Sequence, residues 1–485
     1  MIKRIKNIFL IDTTLKAKIL KNFLWLLVGN SGSRLLKAII IIYAARKLGV
    51  EGYGVFSYAL GLAGFFVFFK NIGVDSILTR EVAKKPEEQH YYLSTAFWIE
   101  IVLLVITAFL IIFIAPLFSG IKAAIALLPF VALILIFDDL KDLFVAFFRG
   151  KEKMELEAIV VVAGNIALVF FGFIALYFWA SPKSFTISNA IASLVGVIAA
   201  IFLLKSFMRG IFKDFSKNLV APILKSAWPF AVGGLASAFL FNIDIVMLGW
   251  WRTTGEIGLY SAAQKIVGML AIFPGFVATA TFPSLSRLAH SDSQKMGNLF
   301  ENALKIIFIA VIPLIIGGFL LSDSIMEFLF GQSYVPAANT FIILLFSILA
   351  VHPLAIISNL LFALDKHSKM IKYALISSSS NIILNFLFIP KYGIEGAALA
   401  TLISFFIYII LLWQEWKKIY DFKIFSGLIK PAIAASIMGV FVYVIKEAGI
   451  HILINIAVSG IFYFIILYLL KEKILKEIFI TFKNK

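Results

Sequence analysis

The chain has 485 residues, of which 61% are hydrophobic and 15% charged, and it contains no cysteine. A soluble fold of this size would lack the polar residues needed to cover its surface, so lipid is the expected solvent for most of it. The formal charge of +17 does not indicate nucleic-acid binding, because the basic residues lie in short segments between apolar runs. Without cysteine, disulfides and thiolate metal sites are excluded.

About fourteen apolar segments follow one another along the chain, each close to the roughly 20 residues that a helix needs to cross a bilayer. The first is predicted to be retained and not cleaved as a signal peptide, because Arg34 and Lys37 lie inside it. The pattern therefore predicts an all-α polytopic membrane protein with about fourteen transmembrane helices. The predicted spans are residues 22–44, 53–71, 92–115, 122–148, 157–179, 185–206, 222–249, 257–281, 298–321, 337–362, 370–389, 393–413, 425–445 and 451–470.

Lysine and arginine are concentrated in every second connection between the predicted spans. Both terminal tails and the segments 80–85, 141–153 and 205–225 are strongly basic, whereas the intervening loops carry few cations. Because positive loops stay on the cytoplasmic side, both termini are predicted to be cytoplasmic, with the protein in the cell (inner) membrane. Lys141 counts as a cytoplasmic cation in this assignment.

An internal repeat predicts how the spans are organised. GVFSYA at residues 54–59 and GLYSAA at residues 258–263 share a pattern, and six predicted spans separate them. This spacing predicts a parallel repeat of two pseudo-symmetric six-helix lobes; chance similarity among the few residue types of membrane helices is the alternative. The expected domains are an N-terminal lobe at 1–207, a cytoplasmic linker at 208–221, a C-terminal lobe at 222–416, and a C-terminal helix pair with a basic tail at 417–485.

The first span carries the clearest candidate site. Asn30, Arg34 and Lys37 are spaced so that they form one polar stripe on an otherwise apolar helix. Each cation would cost about 2.5 to 3.5 kcal/mol if it faced lipid at mid-membrane, and Arg34 is too far from either end of the span to reach the interface. The stripe therefore predicts a water-filled cavity that attracts an anion; a buried structural ion pair is the alternative.

Weaker candidates lie in other spans. Asp244 and Lys265 flank one outer loop at similar depth, so they are predicted to form either a structural salt bridge or a proton or cation site that controls coupling or gating. Glu100 is a candidate cavity residue that either pairs with the first-span cations or stays hydrated near the interface. Asn381 and Asn385 give the eleventh span a polar face that either lines a cavity or joins helices.

Several kinds of chemistry have no support in the sequence. There is no GxxxxGK[ST] loop and no HExxH motif, and no connection between spans is long enough to hold a nucleotide-binding domain. His352 has no second histidine or carboxylate at metal-ligand spacing, so it is interpreted as a packing residue. We expect no enzymatic activity, no metal, no cofactor and no ATP-driven pump.

Several short motifs resemble one known family. They are ARKLGVEGYG at 45–54, NIGVD at 71–75, GEIGLYSAA at 255–263, FPSLS at 282–286, FGQSY at 330–334 and IPKYGIEGAA at 389–398. Their order and spacing over the whole chain resemble the polysaccharide-transport branch of the multidrug/oligosaccharidyl-lipid/polysaccharide exporter superfamily. That branch includes the O-antigen flippases and is related to the lipid II flippases.

The resemblance implies a fold and a function. It implies two six-helix lobes around a central cavity, alternating access, and a substrate in which a polyprenyl diphosphate bears sugars. Cationic cavity residues, here Arg34 and Lys37, would then meet the diphosphate, and the two extra C-terminal helices favour a flippase. The partners expected are the lipid-linked glycan, membrane lipids, a coupling cation (H⁺ or Na⁺) and glycan-assembly proteins.

Two rival functions make different predictions. A cation-coupled multidrug exporter of the same superfamily predicts acidic side chains in the cavity, whereas the sequence offers more basic ones. A non-transporting scaffold of a glycan assembly complex needs no deep cationic stripe. The stripe on the first span therefore favours the flippase.

Overall fold

The structure, a computed structural model, describes residues 15–70, 72–205, 207–270, 272–289, 291–364, 366–418, 420, 427–472 and 474. All regular secondary structure within these ranges is helical. Helices satisfy their own backbone hydrogen bonds, which is the condition for crossing lipid. The predicted all-α fold is confirmed.

The chain divides into two compact units, Met1–Gly258 and Leu259–Lys485. Short 3₁₀ or π turns at Pro86–Glu88, Leu110–Ile114 and Ala115–Phe118 flank the long helix α4 of the first unit. The helices of the first unit are α1 (Leu15–Gly64), α2 (Val67–Lys70), α3 (Val74–Lys84), α4 (Gln89–Phe109), α5 (Lys122–Ile125), α6 (Leu128–Gly150), α7 (Met154–Phe178), α8 (Pro182–Leu203), α9 (Met208–Lys213) and α10 (Lys217–Trp251).

Helix α11 (Thr254–Leu270) begins in the first unit and continues into the second. A 3₁₀ turn at Gln332–Ala337 follows α14 in the second unit. The remaining helices are α12 (Ile272–Leu288), α13 (Ser293–Leu320), α14 (Ser322–Phe330), α15 (Ala338–Phe346), α16 (Ile348–Ala363), α17 (His367–Lys417), α18 (Ile429–Glu447) and α19 (Ile452–Leu469). The domain boundaries expected from the sequence stay a prediction.

Two helices are long enough to contain two spans each. Helix α1 has 50 residues and α17 has 51, and each contains a glycine in a non-helical conformation: Gly49 with φ 66° and Gly393 with φ 60°. A positive φ is readily adopted only by glycine, so these two residues mark a sharp turn between two helical segments. Two of the four spans predicted in these regions therefore fall on the two segments of α1, and the other two fall on the two segments of α17.

Nine helices in the described residues are long and apolar enough to cross a membrane, or ten if the bent pair Gly32–Gly64 and Val67–Lys84 is one span. Helix α6 is not among the nine, because four charged residues lie near its centre. The predicted spans fall mainly on helix in the described residues, with short turns inside some of them, such as those at 65–66 and 126–127. The structure is thus compatible with about fourteen spans, and the protein is a multi-pass membrane protein.

Small residues let α1 pack closely on α10 and α11 within the first unit. A Cβ atom at Gly61 would lie 2.7 Å from Ile245, and one at Gly54 would lie 1.7 Å from the carbonyl oxygen of Thr254. A Cβ atom at Gly258 would likewise meet the carbonyl oxygen of Val50 at 2.0 Å. The first glycines of the two repeated motifs, Gly54 and Gly258, therefore face each other. Membrane helices gain stability from this close packing, since apolar burial gives little in lipid.

The C-terminal helix pair packs onto the second unit. Helices α18 and α19 share a core with α13, in which Tyr463 donates a hydrogen bond to the carbonyl oxygen of Ile309 at 2.7 Å. Lys446, near the end of α18, donates to the carbonyl oxygen of Leu320 at 3.0 Å. The two helices predicted to lie outside the repeat are therefore an integral part of this unit.

Candidate functional site

One face of α1 carries the two cations of the predicted headgroup site. Arg34 and Lys37 are exposed, whereas Ser33 and Ile40 on the neighbouring face are buried. The exposed apolar residue Ile39 lies two positions from Lys37, about 200° around the helix. Helix α1 therefore presents a cationic face and an apolar face in different directions, which is the arrangement of a helix that meets both lipid and a polar environment.

The third residue of the predicted stripe is Asn30, and its side chain lies outside the described residues. Lys37 interacts electrostatically with Asp138 at the centre of α6. Asp138 also pairs with Lys141, with 2.7 Å between Oδ1 and Nζ, and the two side chains are 33% and 18% exposed. The electrostatic interaction between Lys37 and Asp138 therefore connects the cationic face of α1 with a half-buried ion pair on α6.

Lys141, counted as a cytoplasmic cation in the sequence analysis, has two carboxylate neighbours on α6, and its side of the membrane stays a prediction. Lys141 lies well inside α6, which continues to Gly150. The helix tolerates an internal lysine because Asp138 and Asp142 lie on either side of it, with Nζ to Oδ1 distances of 2.7 Å and 3.7 Å. Cations within membrane helices are paired in this way because unpaired charge is costly in lipid.

A second ion pair lies deeper in the first unit. Lys70 Nζ is 3.0 Å from Asp139 Oδ1, and the two side chains are only 12% and 1% exposed. Lys70 is the last residue of α2 and Asp139 is at the centre of α6, so the pair joins two helices. Two charges removed from water are stable only when they compensate each other, so each depends on its partner.

The helical chain is interrupted beside this pair. Helix α2 ends at Lys70, Gly73 has φ 102°, and α3 begins at Val74. The segment Val67–Lys84 is bent by 49° from the preceding part of α1. Broken helices of this kind place polar groups inside a membrane protein, and transporters use them to build binding sites.

Two further carboxyl groups adjoin the Lys70–Asp139 pair. Glu100 on α4 is 0% exposed, and neither of its side-chain oxygens has a hydrogen-bond partner among the described residues. Asp75, in the first turn of α3, interacts electrostatically with it. Glu100 also interacts electrostatically with Asp139 and Lys70. The hydrated interfacial position considered for Glu100 is therefore wrong.

We call this set of eight side chains in the first unit the N-terminal charge network. It extends from the exposed Lys37 to the fully buried Glu100, and its members come from five helices. Its members are Lys37, Lys70, Asp75, Glu100, Asp138, Asp139, Lys141 and Asp142.

Sequence reasoning missed most of this network. The run Asp138-Asp139-Leu140-Lys141-Asp142 lies inside the predicted span 122–148, so four charges within one apolar segment were available as a signal. Lys70 and Asp75 offered no comparable signal, because they lie at the end of a predicted span and just beyond it.

The predicted pair Asp244 and Lys265 is divided between the two units. Asp244 is fully buried on α10 in the first unit, and Lys265 is half-buried on α11 in the second. Each side chain has interaction partners. The proposed contact between the two residues stays a prediction.

The polar face predicted for the eleventh span is buried on α17. Asn385 donates a hydrogen bond from Nδ2 to Oδ1 of Asn381 at 3.1 Å, and the side chains are 0% and 1% exposed. Ser377 on the same helix donates to the carbonyl oxygen of Ser404 at 2.7 Å, which joins the two halves of α17. These neutral hydrogen bonds favour the interpretation that this face joins helices.

Metal binding gains no support from the described residues. In the part of the chain that the structure describes, no group of three or more histidine, aspartate or glutamate side chains is arranged to hold a metal ion. The carboxyl groups of Asp75, Glu100 and Asp139 therefore do not form a metal centre there.

The helical units and the intramembrane charges define a multi-pass membrane protein with a polar site inside its N-terminal unit. Residues 19–289, more than half of the chain, match the family described as polysaccharide biosynthesis protein. The chain belongs to this family, so the predicted family resemblance is confirmed.

Curated relatives cover almost the whole chain. The "Probable low-salt glycan biosynthesis flippase Agl15" of Haloferax volcanii is 24% identical over 448 residues, which cover 91% of this chain and 93% of the relative. The capsular polysaccharide biosynthesis protein CapF of Staphylococcus aureus is 25% identical over 414 residues, which cover 82% of this chain and 100% of the relative. Both relatives are named for glycan or polysaccharide biosynthesis, and the first is named a probable flippase.

The fold is similar to that of a solved flippase. The structure of the lipid II flippase MurJ in its inward closed conformation aligns with a TM-score of 0.75 and 21% sequence identity, covering 93% of this chain and 100% of that one. An inward-facing multidrug transporter of the MATE family aligns with a TM-score of 0.62 and 15% identity, covering 86% and 97%. At these identities the likeness establishes the fold alone.

Proposed function

We propose that the protein is a flippase that moves a lipid-linked oligosaccharide, in which a polyprenyl diphosphate bears sugars, from the cytoplasmic to the outer leaflet by alternating access. The observation that carries this proposal is the exposed pair Arg34 and Lys37 on an apolar helix of a chain from the polysaccharide biosynthesis family. The names of the curated relatives support the substrate class.

The chemistry of the two cations suits a diphosphate. Arginine presents a planar fork of N–H donors that binds phosphate oxygens in pairs, and lysine adds a compact positive charge. Arg34 and Lys37 lie about one turn apart on α1, so both can approach one headgroup. The apolar face of α1, which includes Ile39, leaves the polyprenyl tail free to stay in lipid.

The location and the type of activity follow from the same proposal. We place the protein in the cell (inner) membrane with both termini in the cytoplasm, as the basic segments predict. Membrane lipids and the lipid-linked glycan are its partners, glycan-assembly proteins act beside it, and it moves its substrate without changing a covalent bond. A cation gradient supplies the energy.

The direct test measures flipping by the purified protein in liposomes. The probe is a fluorescent polyprenyl diphosphate bearing one N-acetylhexosamine, and the readout is its protection from a membrane-impermeant quencher. We expect the wild type to flip this lipid and the Arg34→Gln/Lys37→Gln variant to lose most of the activity, because the headgroup loses both of its cationic partners.

Two controls make the result specific. Lys47→Gln removes another exposed cation of α1 and is expected to keep wild-type activity. A polyprenyl-linked sugar without the diphosphate is expected to be a poor substrate. Unchanged flipping by a well-expressed Arg34→Gln/Lys37→Gln variant would exclude the headgroup role of these residues.

The same liposomes separate the rival functions. Export of a cationic dye in place of the glycolipid would support a multidrug exporter. Failure to move either compound, with the folded protein present, would support the scaffold.

A further inference from the structure

The segment from the end of α8 to the first turns of α10 carries an excess of positive charge. Between residues 202 and 228 the sequence has one acidic residue, Asp214, and five basic ones. Asp214 turns back over α9, where its Oδ2 atom would lie 2.6 Å from a Cβ atom at Gly210. The side chain of one basic residue, Arg209, lies outside the described residues. The other four are exposed and take part in no ion pair in the described part of the chain: Lys205, Lys213, Lys217 and Lys225.

Buried hydroxyl groups fix this segment to the rest of the first unit. Ser94 on α4 donates a hydrogen bond to the carbonyl oxygen of Ile211 on α9 at 2.7 Å. The next residue, Thr95, accepts a hydrogen bond at 3.1 Å from the backbone N–H of Ser216, which directly precedes α10. Both hydroxyl side chains are 0% exposed. The exposed lysines therefore extend from a packed backbone.

The segment begins where a lipid-facing stripe of α8 ends. The exposed apolar residues of this helix recur at intervals of three and four residues, and they are Ile191, Leu194, Ile198 and Phe202. Large apolar side chains that stay exposed on a membrane helix face lipid. Phe202 is 75% exposed, and Lys205 follows it at the next interval of three, just past the end of α8. Lys205 therefore lies at the edge of the lipid-facing surface.

A second lipid-facing stripe, on α4, meets the same segment. Its members include Trp98, Val102, Val105 and Phe109. The ring of Phe212 on α9 packs edge-on against Trp98, with 6.3 Å between the ring centroids, and Phe212 is itself 61% exposed. Tryptophan in a membrane protein prefers the level of the lipid headgroups. Phe212, with Lys213 beside it in the chain, therefore lies at the headgroup end of the α4 stripe.

The first turns of α10 repeat this combination of lysine and aromatic residues. Lys217, Lys225 and Trp228 are exposed and follow one another at intervals of eight and three residues, which puts them on one face of the helix. Trp228 is 65% exposed. Lysines followed by an exposed tryptophan are typical of a helix that enters lipid from the headgroup region.

We propose that this surface binds the headgroups of anionic phospholipids. We call it the linker surface, and its members are Lys205, Phe212, Lys213, Lys217, Lys225 and Trp228. Its unpaired cations favour a negatively charged ligand, and its position at the end of two lipid-facing stripes favours a lipid over a soluble anion. The proposal goes beyond flipping, because it involves neither Arg34 nor Lys37.

Nearby aromatic residues distinguish the linker surface from other exposed cations of the first unit. Each of its four lysines has an exposed aromatic residue within three positions in the chain. Lys84 at the end of α3 and Lys153 before α7 are equally exposed, but no exposed large apolar residue lies within four positions of either. These two lysines therefore offer charge without a contact to lipid, and they provide a matched control.

Photo-crosslinking of the purified full-length protein in detergent micelles tests the linker surface directly. The probe is phosphatidylglycerol with a photoreactive group beside its phosphate, and mass spectrometry after proteolysis locates the labelled residues. We expect the labels to concentrate between residues 202 and 228. Unlabelled phosphatidylglycerol should suppress them much more strongly than phosphatidylcholine, and inorganic phosphate should have little effect at the ionic strength of a chloride control.

Two double variants with the same net charge make the test specific. A cation near an anionic membrane contributes about 1 kcal/mol, which is about fivefold in binding. At a subsaturating amount of probe, Lys213→Gln/Lys217→Gln should therefore reduce the labelling by at least about fivefold. The control, Lys84→Gln/Lys153→Gln, should label like the wild type. All four lysines are exposed, so both variants should fold, and a single symmetric peak in size-exclusion chromatography checks this.

Several results would overturn the lipid site. They are equal suppression by the two unlabelled lipids, labels spread evenly over all basic segments, and an equal loss of labelling in the two double variants. Strong suppression by inorganic phosphate would assign the surface to a soluble anion instead. Arg34→Gln/Lys37→Gln should keep the labels, and their loss in this variant would place the probe in the proposed headgroup site. Flipping in liposomes is measured separately, so the proposed function can fail while the lipid site holds, and the reverse.

Discussion

The two units of the protein bury different kinds of polar side chain at the centres of their helices. In the first unit, Glu100, Asp139 and Asp244 are fully or almost fully buried within long helices. In the second unit, the buried residues at the centre of α17 are neutral, and they include Asn381 and Asn385. The buried carboxylates of the second unit in the described residues, Glu415 and Glu472, lie at helix ends.

This difference distinguishes two roles of polar side chains inside membrane helices. Neutral groups such as Asn381 and Asn385 keep the same charge at any pH, and the hydrogen bond from Ser377 to Ser404 joins the two halves of the same helix. A buried group of carboxyl groups and lysine changes charge when it gains or loses a proton, and its packing changes with it. Among the described residues, the buried carboxyl groups at the centres of long helices therefore lie in the first unit, whereas the buried pair of α17 is neutral.

The largest effect is expected from removing Lys70. Lys70→Met leaves the buried carboxyl group of Asp139 without its ion-pair partner, and breaking a buried ion pair costs about 3 to 5 kcal/mol. We expect a large drop in the melting temperature of the purified protein in detergent, or failure to accumulate. Asp139→Asn should cost less, because Lys70 still interacts electrostatically with Asp142 and Asp138.

The control for this prediction is Lys84→Met, which removes an exposed lysine of the adjacent helix α3. It should leave the melting temperature nearly unchanged. Equal, small effects of Lys70→Met and Lys84→Met would show that the buried charges do not hold the first unit together.

Much of the fold could be predicted from the sequence because lipid imposes a simple rule. Each helix that crosses the bilayer needs a long apolar segment, so the apolar runs locate the helices. The turns at Gly49 and Gly393 fall in the similar motifs GVEG and GIEG. Both motifs belong to the segments in which the sequence resembles the family. Their conformation was not visible, because a positive φ is a property of the folded chain.

The candidate site could be predicted only in part. Arg34 and Lys37 stand out because a charge within an apolar run is unusual whatever surrounds it. The meeting of Lys70, Glu100 and Asp139 could not be predicted, because it depends on how α2, α4 and α6 pack. The charged run at 138–142 was not recognised as part of a site, because the rule that locates cytoplasmic loops counts cations and takes no account of neighbouring aspartates.

A smaller effect is expected in the second unit. Asn385→Ala removes the donor to Asn381, and interhelical or side-chain hydrogen bonds in membrane proteins are worth about 0.6 kcal/mol on average and up to about 1.7 kcal/mol. Unfolding of Asn381→Ala, Asn385→Ala and the double variant gives the coupling between the two residues. The effect should be the same at pH 6 and pH 8, because neither side chain titrates. A pH-dependent effect would contradict the assignment of a fixed, neutral role to this face.

The smallest effect is expected from Glu415, at the end of α17. Its carboxylate accepts hydrogen bonds from Lys369, Lys418 and Tyr373, but the two lysine side chains are 44% and 67% exposed. Water and salt replace such partners readily, so exposed ion pairs contribute little. Glu415→Gln should lower the melting temperature slightly at low salt and not at high salt, whereas the loss caused by Lys70→Met should persist at both. If high salt abolished the loss of melting temperature in both variants, burial would not protect the Lys70–Asp139 pair from screening by salt.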